Sequence, residues 1–346
     1  MARREMTPRW RMPAEWEPHE ATWIAWPHER SDWPGKFAPI PWLYAEIVRH
    51  LSRVERVRIV TLEEPRVRAM LRKSGADLDA VEFFRFPTDR SWTRDYCPLF
   101  VRNPRGKIAL AHWRFNGWAK YSNFKRDAKV PPAMARALGL ERFETGLVLE
   151  GGAIDVNGQG KLLATQECLL STVQQRNPGI SRRALESAFR KFLGVNEVIW
   201  LGRGISGDDT HGHIDDIARF TAPDTVVAAI EPDRSDPNHD PLEENLARLR
   251  ARGDLRVVPL PMPEPVYFAG QRLPASYANF YIANRVVLAP VFSDPNDRAA
   301  LNTLARLFPD RQVIGIPSRD LVLGLGTLHC MTQQQPVGPP VLPAVC

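Results

Sequence analysis

The fold can be inferred from the stretch Arg183-Ala-Leu-Glu-Ser-Ala-Phe-Arg-Lys-Phe192, followed by Val198-Ile-Trp-Leu201 and by Gly207-Asp-Asp-Thr-His-Gly-His-Ile-Asp-Asp216. The first segment has the apolar spacing of an amphipathic helix, and the second is a short run typical of a strand. The third is a polar loop. Gly194 fits the position just after the helix, where a left-handed residue often ends it.

The same order of helix and strand recurs along the chain. The stretches are 42–53 into 57–62, 65–73 into 81–86, 132–138 into 143–149, 183–192 into 198–201, 242–252 into 255–260 and 299–308 into 313–316. Gly253 is the predicted cap of the fifth helix. Five of the strands, counted from Val81, Phe143, Val198, Val257 and Val313, follow one another at intervals of 55 to 62 residues. A period of this size predicts repeated supersecondary units that stack or close on one another.

Each of these five strands leads into a loop with many polar side chains. The loops are 89–95, 150–155, 207–216, 274–279 and 324–335. Five similar units that deliver polar loops predict an α/β ring around one shared central site. No linker rich in glycine or serine divides the chain, so we predict a single domain over 1–346.

Composition excludes several classes of protein. The chain of 346 residues is 44% hydrophobic and 25% charged, which excludes a disordered or collagen-like chain. The net charge is +6, but the basic runs are short, so we expect no nucleic acid as a partner. Residues 1–16 lack the apolar core of a signal peptide, and 321–346 contain three glutamines and four prolines that argue against a membrane span. These features predict a cytoplasmic protein.

The four cysteines, Cys97, Cys168, Cys330 and Cys346, are far apart in the sequence. Their spacing suggests neither a zinc site nor a disulfide framework. We therefore predict no metal and no cofactor. By default each cysteine is a buried, reduced thiol.

The loop 207–216 carries the sharpest chemical signal. If it enters a strand, His213 and Asp215 lie on one face, where they offer an acid or base beside a carboxylate. Asp209, His211, His213 and Asp215 also alternate, as the ligands of metal-dependent ureohydrolases do. A third interpretation is a polar turn before an ordinary strand.

The loop 324–335 places Cys330 between His329 and the polar run from Thr332. Its glycines, beginning with Gly324, allow a ligand or another backbone segment to approach closely. A thiol in such a loop can act as a nucleophile once a cation lowers its pKa. The alternative is a buried cysteine near the last strand.

Two further loops carry carboxylates. Asp95 follows Arg94, and the two residues could form an exposed ion pair of little value. Trp92 beside them could form the wall of a pocket. Glu150 follows an apolar strand, where it would face a central site or lie solvated in a tight turn.

Together the loops bring three carboxylates (Asp95, Glu150 and Asp215) to one place with His213 and Cys330. A thiol nucleophile requires an electrophilic carbon, and carboxylates select a cation. A guanidinium meets both demands because it is planar and pairs with carboxylates through two hydrogen bonds.

Seven motifs in this order resemble the agmatine deiminase and Porphyromonas-type peptidyl-arginine deiminase family of the guanidino-group-modifying (pentein) superfamily. The motifs are Met12-Pro-Ala-Glu-Trp-Glu-Pro-His19, Trp92-Thr-Arg-Asp95, Trp113-Arg-Phe-Asn-Gly-Trp118, Leu149-Glu-Gly-Gly152, Gly207 to Asp216, Ser276-Tyr-Ala-Asn-Phe-Tyr281 and His329-Cys-Met-Thr-Gln-Gln334. The chain departs from the family pattern at Cys97, His211 and Thr327, all of which we expect beside the pocket.

The resemblance implies a five-bladed α/β propeller, in agreement with the period found above. It implies Cys330 as nucleophile, His213 as general acid and base, and Asp95 and Asp215 as guanidinium clamps. Glu150 falls where the family keeps a substrate-site carboxylate. We also assign Trp92 and Asp209 to substrate binding.

The expected function is hydrolytic deimination of a small guanidino molecule, with agmatine giving N-carbamoylputrescine and ammonia. The alternatives are a deiminase of peptidyl arginine or another guanidino compound, a metal-dependent ureohydrolase, and a binder of guanidino groups without turnover. No membrane partner is expected, and a homodimer is the candidate assembly.

Overall fold

The computed structural model describes residues 10–339. The prediction of a single domain over 1–346 stays a prediction, and Cys346 lies outside the described residues. No helix within 10–339 is both long and apolar enough to cross a membrane.

The strands are β1 (His19–Ala25), β2 (Arg56–Val60), β3 (Val81–Phe84), β4 (Leu99–Arg102), β5 (Ile108–Arg114), β6 (Arg142–Val148), β7 (Ile154–Val156), β8 (Lys161–Thr165), β9 (Glu197–Leu201), β10 (Ala218–Ala222), β11 (Thr225–Ile230), β12 (Arg256–Pro261), β13 (Tyr267–Phe268), β14 (Gln271–Arg272), β15 (Tyr281–Ile282), β16 (Val286–Val291), β17 (Gln312–Pro317) and β18 (Gln333–Pro336). The helices are α1 (Ile40–Leu51), α2 (Glu64–Ser74), α3 (Thr93–Tyr96), α4 (Val130–Leu138), α5 (Gln166–Leu170), α6 (Arg182–Leu193), α7 (His239–Arg250) and α8 (Asp297–Leu307). All six predicted pairs of helix and strand are present, with ends that differ from the prediction by at most three residues.

The strands form five principal sheets built on one plan. In each sheet an antiparallel pair is followed by a helical crossover to a third strand, which runs parallel to the second. The sheet orders are β18-β1-β2-β3, β4-β5-β6, β7-β8-β9, β10-β11-β12 and β15-β16-β17. A parallel connection needs a crossover of a dozen or more residues, which explains why a helix recurs in every unit. The predicted five-unit α/β propeller is confirmed.

Helix α6 shows how the local sequence specifies a unit. The Ser181 side chain accepts a hydrogen bond from the backbone N–H of Ala184 at its start, and Gly194, with φ of 69°, ends it. Leu185 and Phe189 lie on one face and are fully buried. The predicted cap at Gly253 is wrong, because α7 ends at Arg250 and its C-cap residue, Ala251, is right-handed.

The ring closes where the last strand pairs with the first. Strand β18 lies antiparallel to β1, with Trp23 opposite Gln333. The Trp23 indole N–H also donates to the Gln335 side chain across this pair, at 2.9 Å. The closure brings the loop of Cys330 next to the segment that precedes β1.

Candidate active site

Cys330 is held by contacts on several sides. Its sulfur accepts a hydrogen bond from the Asn279 Nδ2 at 3.2 Å and lies 3.7 Å from Asp215 Oδ2. Its carbonyl accepts from the backbone N–H of Arg94. A Cβ on Gly326 would lie 3.0 Å from the Cys330 Cβ, so glycine there permits the loop to turn tightly over the thiol.

The surroundings of Cys330 favour a thiol and not a thiolate. Burial raises the pKa of Cys330 well above its usual value, and the carboxylates of Asp215 and Asp95 raise it further. The sulfur therefore rests protonated until a cation enters the site.

His213 also lies near Asp215, but the backbone that carries it differs from the predicted strand. The expectation that 207–216 enters a strand is wrong: the segment turns through left-handed residues, including His211, and then forms a short 3₁₀ turn at Ile214–Asp216. His213 and Asp215 still meet, with Nδ1 3.9 Å from Asp215 Oδ1. Burial opposes a charge on His213, but Asp95 and neighbouring groups raise its pKa well above the usual value. The imidazole therefore carries a proton at neutral pH.

Asp95 and Asp215 each have one oxygen held in place by a side chain. Asp95 Oδ2 accepts from the Trp118 indole at 2.8 Å, and its Oδ1 accepts from the Gly152 N–H at 3.0 Å. Asp215 Oδ2 lies 2.7 Å from His329 Nδ1, whereas its Oδ1 is buried and makes no hydrogen bond. Burial raises the pKa of Asp95 to about 6. Burial would raise that of Asp215, but His329 and His213 hold it below the usual value.

Trp118, which holds Asp95, has an unusual backbone. Gly117, Trp118 and Ala119 are consecutive residues with φ of 67°, 58° and 55°. Left-handed φ is uncommon for residues other than glycine and tends to occur where function requires a particular orientation. The turn directs the indole N–H at the carboxylate.

A buried ionic cluster lies beneath Cys330, and we call it the floor. It consists of Glu15, Arg94, Arg219 and His329. Glu15 Oε2 lies 2.8 Å from His329 Nε2, and Glu15 Oε1 lies 3.0 Å from Arg219 Nη2. Because both nitrogens of His329 face carboxylate oxygens, its ring fixes Asp215 to the floor. Burial would raise the pKa of Glu15, but Arg219 and His329 hold it well below the usual value.

Glu150 is paired more fully than the sequence suggested. The Nε of Arg176 lies 3.2 and 3.3 Å from its two oxygens, and both side chains are buried. Burial would raise the pKa of Glu150, but Arg176 and His213 lower it to about 2. Glu150 Oε2 also lies 3.7 Å from His213 Nε2.

One cavity of about 580 Å³ leads to Cys330 and Asp95. Trp92 and Trp118 form part of its wall, as predicted for Trp92. A second set of charged and phenolic side chains, which we call the mouth, consists of Asp32, Arg90, Tyr121 and Asp209, which line the cavity, and Lys120, which pairs with Asp209.

Within the mouth the charges are paired. Arg90 forms an ion pair with Asp32 and lies over the Tyr121 ring at 4.3 Å. The Tyr121 hydroxyl donates to Asp209, whose carboxylate is 3.3 Å from Lys120 Nζ.

The structure thus brings together Cys330, His213, Asp95, Asp215 and Glu150, and it places Trp92 and Asp209 along the same cavity. The alternating set proposed for a metal does not converge. Asp209 bonds Tyr121, His211 faces Ser171 and Asp215 bonds His329. Among residues 10–339, the group able to hold a metal ion is a different one, Glu150, Cys168 and His213.

Sequence reasoning missed four residues: Glu15, Trp118, Asn279 and Arg176. The first three lie inside motifs that carry the family resemblance but were given no role. Arg176 lies in a connecting segment with no distinguishing pattern. Of the departures from the family pattern, Thr327 donates to Asn279 Oδ1 at 2.8 Å, so it helps to position the residue that bonds Cys330.

Comparisons with known proteins agree with this geometry. Residues 11–336 match the profile of the Porphyromonas-type peptidyl-arginine deiminase family. The agmatine deiminase of Stutzerimonas stutzeri is 34% identical in an alignment of 354 positions, including gaps, that covers 94% of this chain and 95% of that protein. The agmatine deiminase structure from Enterococcus faecalis superposes with a TM-score of 0.88 at 30% identity, covering 95% and 96% of the two chains. An agmatine deiminase from C. jejuni with substrate bound gives 0.88 at 29% identity, covering 95% and 97%. The resemblance inferred from the motifs is confirmed, and the chain belongs to the Porphyromonas-type peptidyl-arginine deiminase family.

Proposed function

We propose that the protein hydrolyses the guanidino group of agmatine, giving N-carbamoylputrescine and ammonia through a covalent intermediate on Cys330. The observation that carries the proposal is the convergence of a thiol, a protonated imidazole and two carboxylates beside a cavity that Cys330 and Asp95 line. Family membership supports a hydrolase that acts on the C–N bond of a linear amidine.

Asp95 and Asp215 act as the guanidinium clamp. The buried Asp215 Oδ1 has no hydrogen-bond partner, so it offers an acceptor at the point where a guanidinium N–H would lie. Leaving this oxygen unpaired costs free energy that a cationic donor would recover. The floor holds the other oxygen of Asp215 and so fixes its direction.

The bound cation lowers the pKa of the Cys330 thiol, which releases its proton to water, and the resulting thiolate attacks the central carbon. The imidazolium of His213 gives a proton to the departing nitrogen, and ammonia leaves. A C–S bond has formed and a C–N bond has broken, so an amidino thioether remains on the enzyme. His213, now neutral, takes a proton from water, and the resulting hydroxide displaces the sulfur to give the ureido product.

Asp209 is the proposed partner for the distal ammonium of agmatine. It lines the same cavity as Asp95, and its carboxylate accepts from Tyr121. The relatives named agmatine deiminases support this choice of substrate.

A substrate panel tests the proposal. Agmatine, arginine, methylated arginines and an arginine peptide are compared by ammonia release, and agmatine is expected to have the highest kcat/KM. Preference for the peptide would replace agmatine with peptidyl arginine, and binding without ammonia release from any compound would indicate a guanidino binder.

Chelation tests the metal-dependent alternative. The proposed chemistry needs no Lewis acid, so activity is expected to survive exhaustive EDTA treatment. Loss of activity on chelation, with recovery on adding manganese, would favour the ureohydrolase and contradict the proposed mechanism.

A further inference from the structure

A second buried cysteine, Cys168, lies beside His213. Ligand atoms of Glu150, Cys168 and His213 all lie within 4.8 Å of one another, and all three residues are buried. The Nε2 atom of His213 is itself buried and makes no hydrogen bond. The deimination mechanism assigns no role to Cys168.

One separation within this group matches that of tetrahedral zinc. With bonds of about 2.0–2.3 Å, neighbouring ligand atoms of such a site are separated by roughly 3.3–3.8 Å. His213 Nε2 and Glu150 Oε2 are 3.7 Å apart. Thiolate, imidazole and carboxylate are ligands that zinc accepts together, whereas magnesium and calcium prefer oxygen.

Fixed backbone contacts hold the two sides of the cluster together. The Thr165 hydroxyl caps α5 by accepting from the Cys168 N–H at 3.1 Å, and it donates to the Gly212 carbonyl at 2.6 Å. One side chain therefore links the helix of Cys168 to the loop of His213. On the loop itself, Asp208 accepts from the backbone N–H of His213.

The local charge also favours a divalent cation. Asp95 Oδ1 and Asp215 Oδ1 lie 4.0 and 3.9 Å from His213 Nδ1, so two further carboxylates surround the ring. Arg176 disfavours a cation here, because its positive charge is already paired with Glu150. The group still supplies three protein ligands for one divalent cation.

We propose that Glu150, Cys168 and His213 form a zinc site whose occupation inhibits the enzyme. On binding, zinc forms bonds to Cys168 Sγ, His213 Nε2 and one Glu150 oxygen, while the Cys168 thiol and the Nε2–H of the His213 imidazolium each release a proton to water. The metal would then remove His213 from proton transfer and repel the incoming guanidinium. The inhibitory consequence rests on the proposed deiminase function, whereas the metal site does not.

Cobalt and zinc titrations of the Cys330→Ala protein test the site without the nucleophile. Cobalt is expected to produce a thiolate-to-metal charge-transfer band that zinc abolishes. The band is expected to disappear in Cys330→Ala/Cys168→Ser and to remain in Cys330→Ala/Cys97→Ser, which removes another buried thiol as the matched control. A band that survives loss of Cys168 would overturn the proposal.

Activity provides the second measurement. Zinc is expected to inhibit the wild-type protein competitively with substrate, EDTA to reverse the inhibition, and Cys168→Ser to require at least tenfold more zinc. If Cys168→Ser fails to fold, an anomalous-scattering map of zinc-soaked wild-type crystals tests whether zinc binds at Glu150, Cys168 and His213. A zinc peak between the three side chains supports the site, and a peak on Cys330 or no peak contradicts it. A charge-transfer band without turnover of any guanidino compound would leave the metal site standing and reject the deiminase.

Discussion

The floor and the mouth of the cavity use the same kinds of charged side chain in opposite ways. In the floor, Glu15 is buried and contacts Arg94, Arg219, His329 and a backbone N–H. At the mouth, the groups are paired one with another, and Lys120 is 42% exposed on its side chain.

The difference indicates what each region can contribute. Buried charges cannot be screened by water, so they keep a fixed direction and a large energetic role. At the mouth the Lys120–Asp209 pair is partly solvated and is worth at most about 1 kcal/mol, whereas the Arg90–Asp32 pair beside it is mostly buried. The floor is suited to orienting the reacting groups, and the mouth to selecting among substrates.

The largest expected effect comes from removing the proposed nucleophile, Cys330, which lies above the floor. Cys330→Ala should eliminate ammonia release while keeping the fold and guanidino binding, because it removes only the sulfur. Steady-state assays, circular dichroism and calorimetric binding check these three properties. Turnover at the wild-type rate would reject covalent catalysis by Cys330.

The next largest loss of activity is expected from the two clamp carboxylates, Asp95 and Asp215. Asp95→Asn and Asp215→Asn each remove a charge-assisted contact, worth about 1.5–3 kcal/mol. That corresponds to a loss of roughly 10- to 100-fold in kcat/KM as a minimum. The loss should be larger for Asp215, which His329 ties to the floor. If both variants stay within threefold of wild type, the carboxylates do not bind a guanidinium.

Glu15→Gln tests the floor directly. Removing one partner from a buried ionic cluster typically costs about 3–5 kcal/mol. Chemical denaturation should show that loss, and kcat/KM should fall because His329 loses its second carboxylate. A loss below 1 kcal/mol would mean that the floor resembles the mouth.

The pH profile should reflect Asp95. Burial raises its pKa to about 6 in the free protein, so the carboxyl gains a proton as the pH falls through 6. A guanidinium needs the ionised form, and kcat/KM should therefore fall about tenfold per pH unit below 6. The same fall in kcat/KM below pH 6 should be seen in a mouth variant such as Asp209→Asn. A flat profile between pH 5 and 7 would contradict this role of Asp95.

The smallest effect is expected at the mouth. Asp209→Asn applies the same chemical change as the clamp variants to a partly exposed carboxylate, so kcat/KM for agmatine should fall less than tenfold. Its stability should match wild type, and the ratio of agmatine to arginine activity should drop. An unchanged ratio would remove Asp209 from substrate selection.

Local sequence predicted the fold and the loops whose side chains meet near Cys330, because the repeated helices and strands and the loops after them depend on neighbouring residues. The backbone of 207–216 was missed because Gly207, His211 and Gly212 have φ of 90°, 68° and 93°, which breaks the alternation of a strand. The role of Glu15 was missed because its bond to His329 joins residues 314 positions apart. No periodic pattern connects two such residues.

Because the last strand, β18, pairs with the first, β1, the site can be completed only when the end of the chain is present. Glu15 precedes the first strand and His329 precedes the last, so their contact forms only after translation has passed both. Nascent chains that end before residue 329 lack the thiol and its supporting imidazole. Contacts at such sequence separation form slowly, since the loop between them must be ordered first. Catalytic competence is thus expected to be among the last properties acquired, which keeps incomplete chains from consuming substrate.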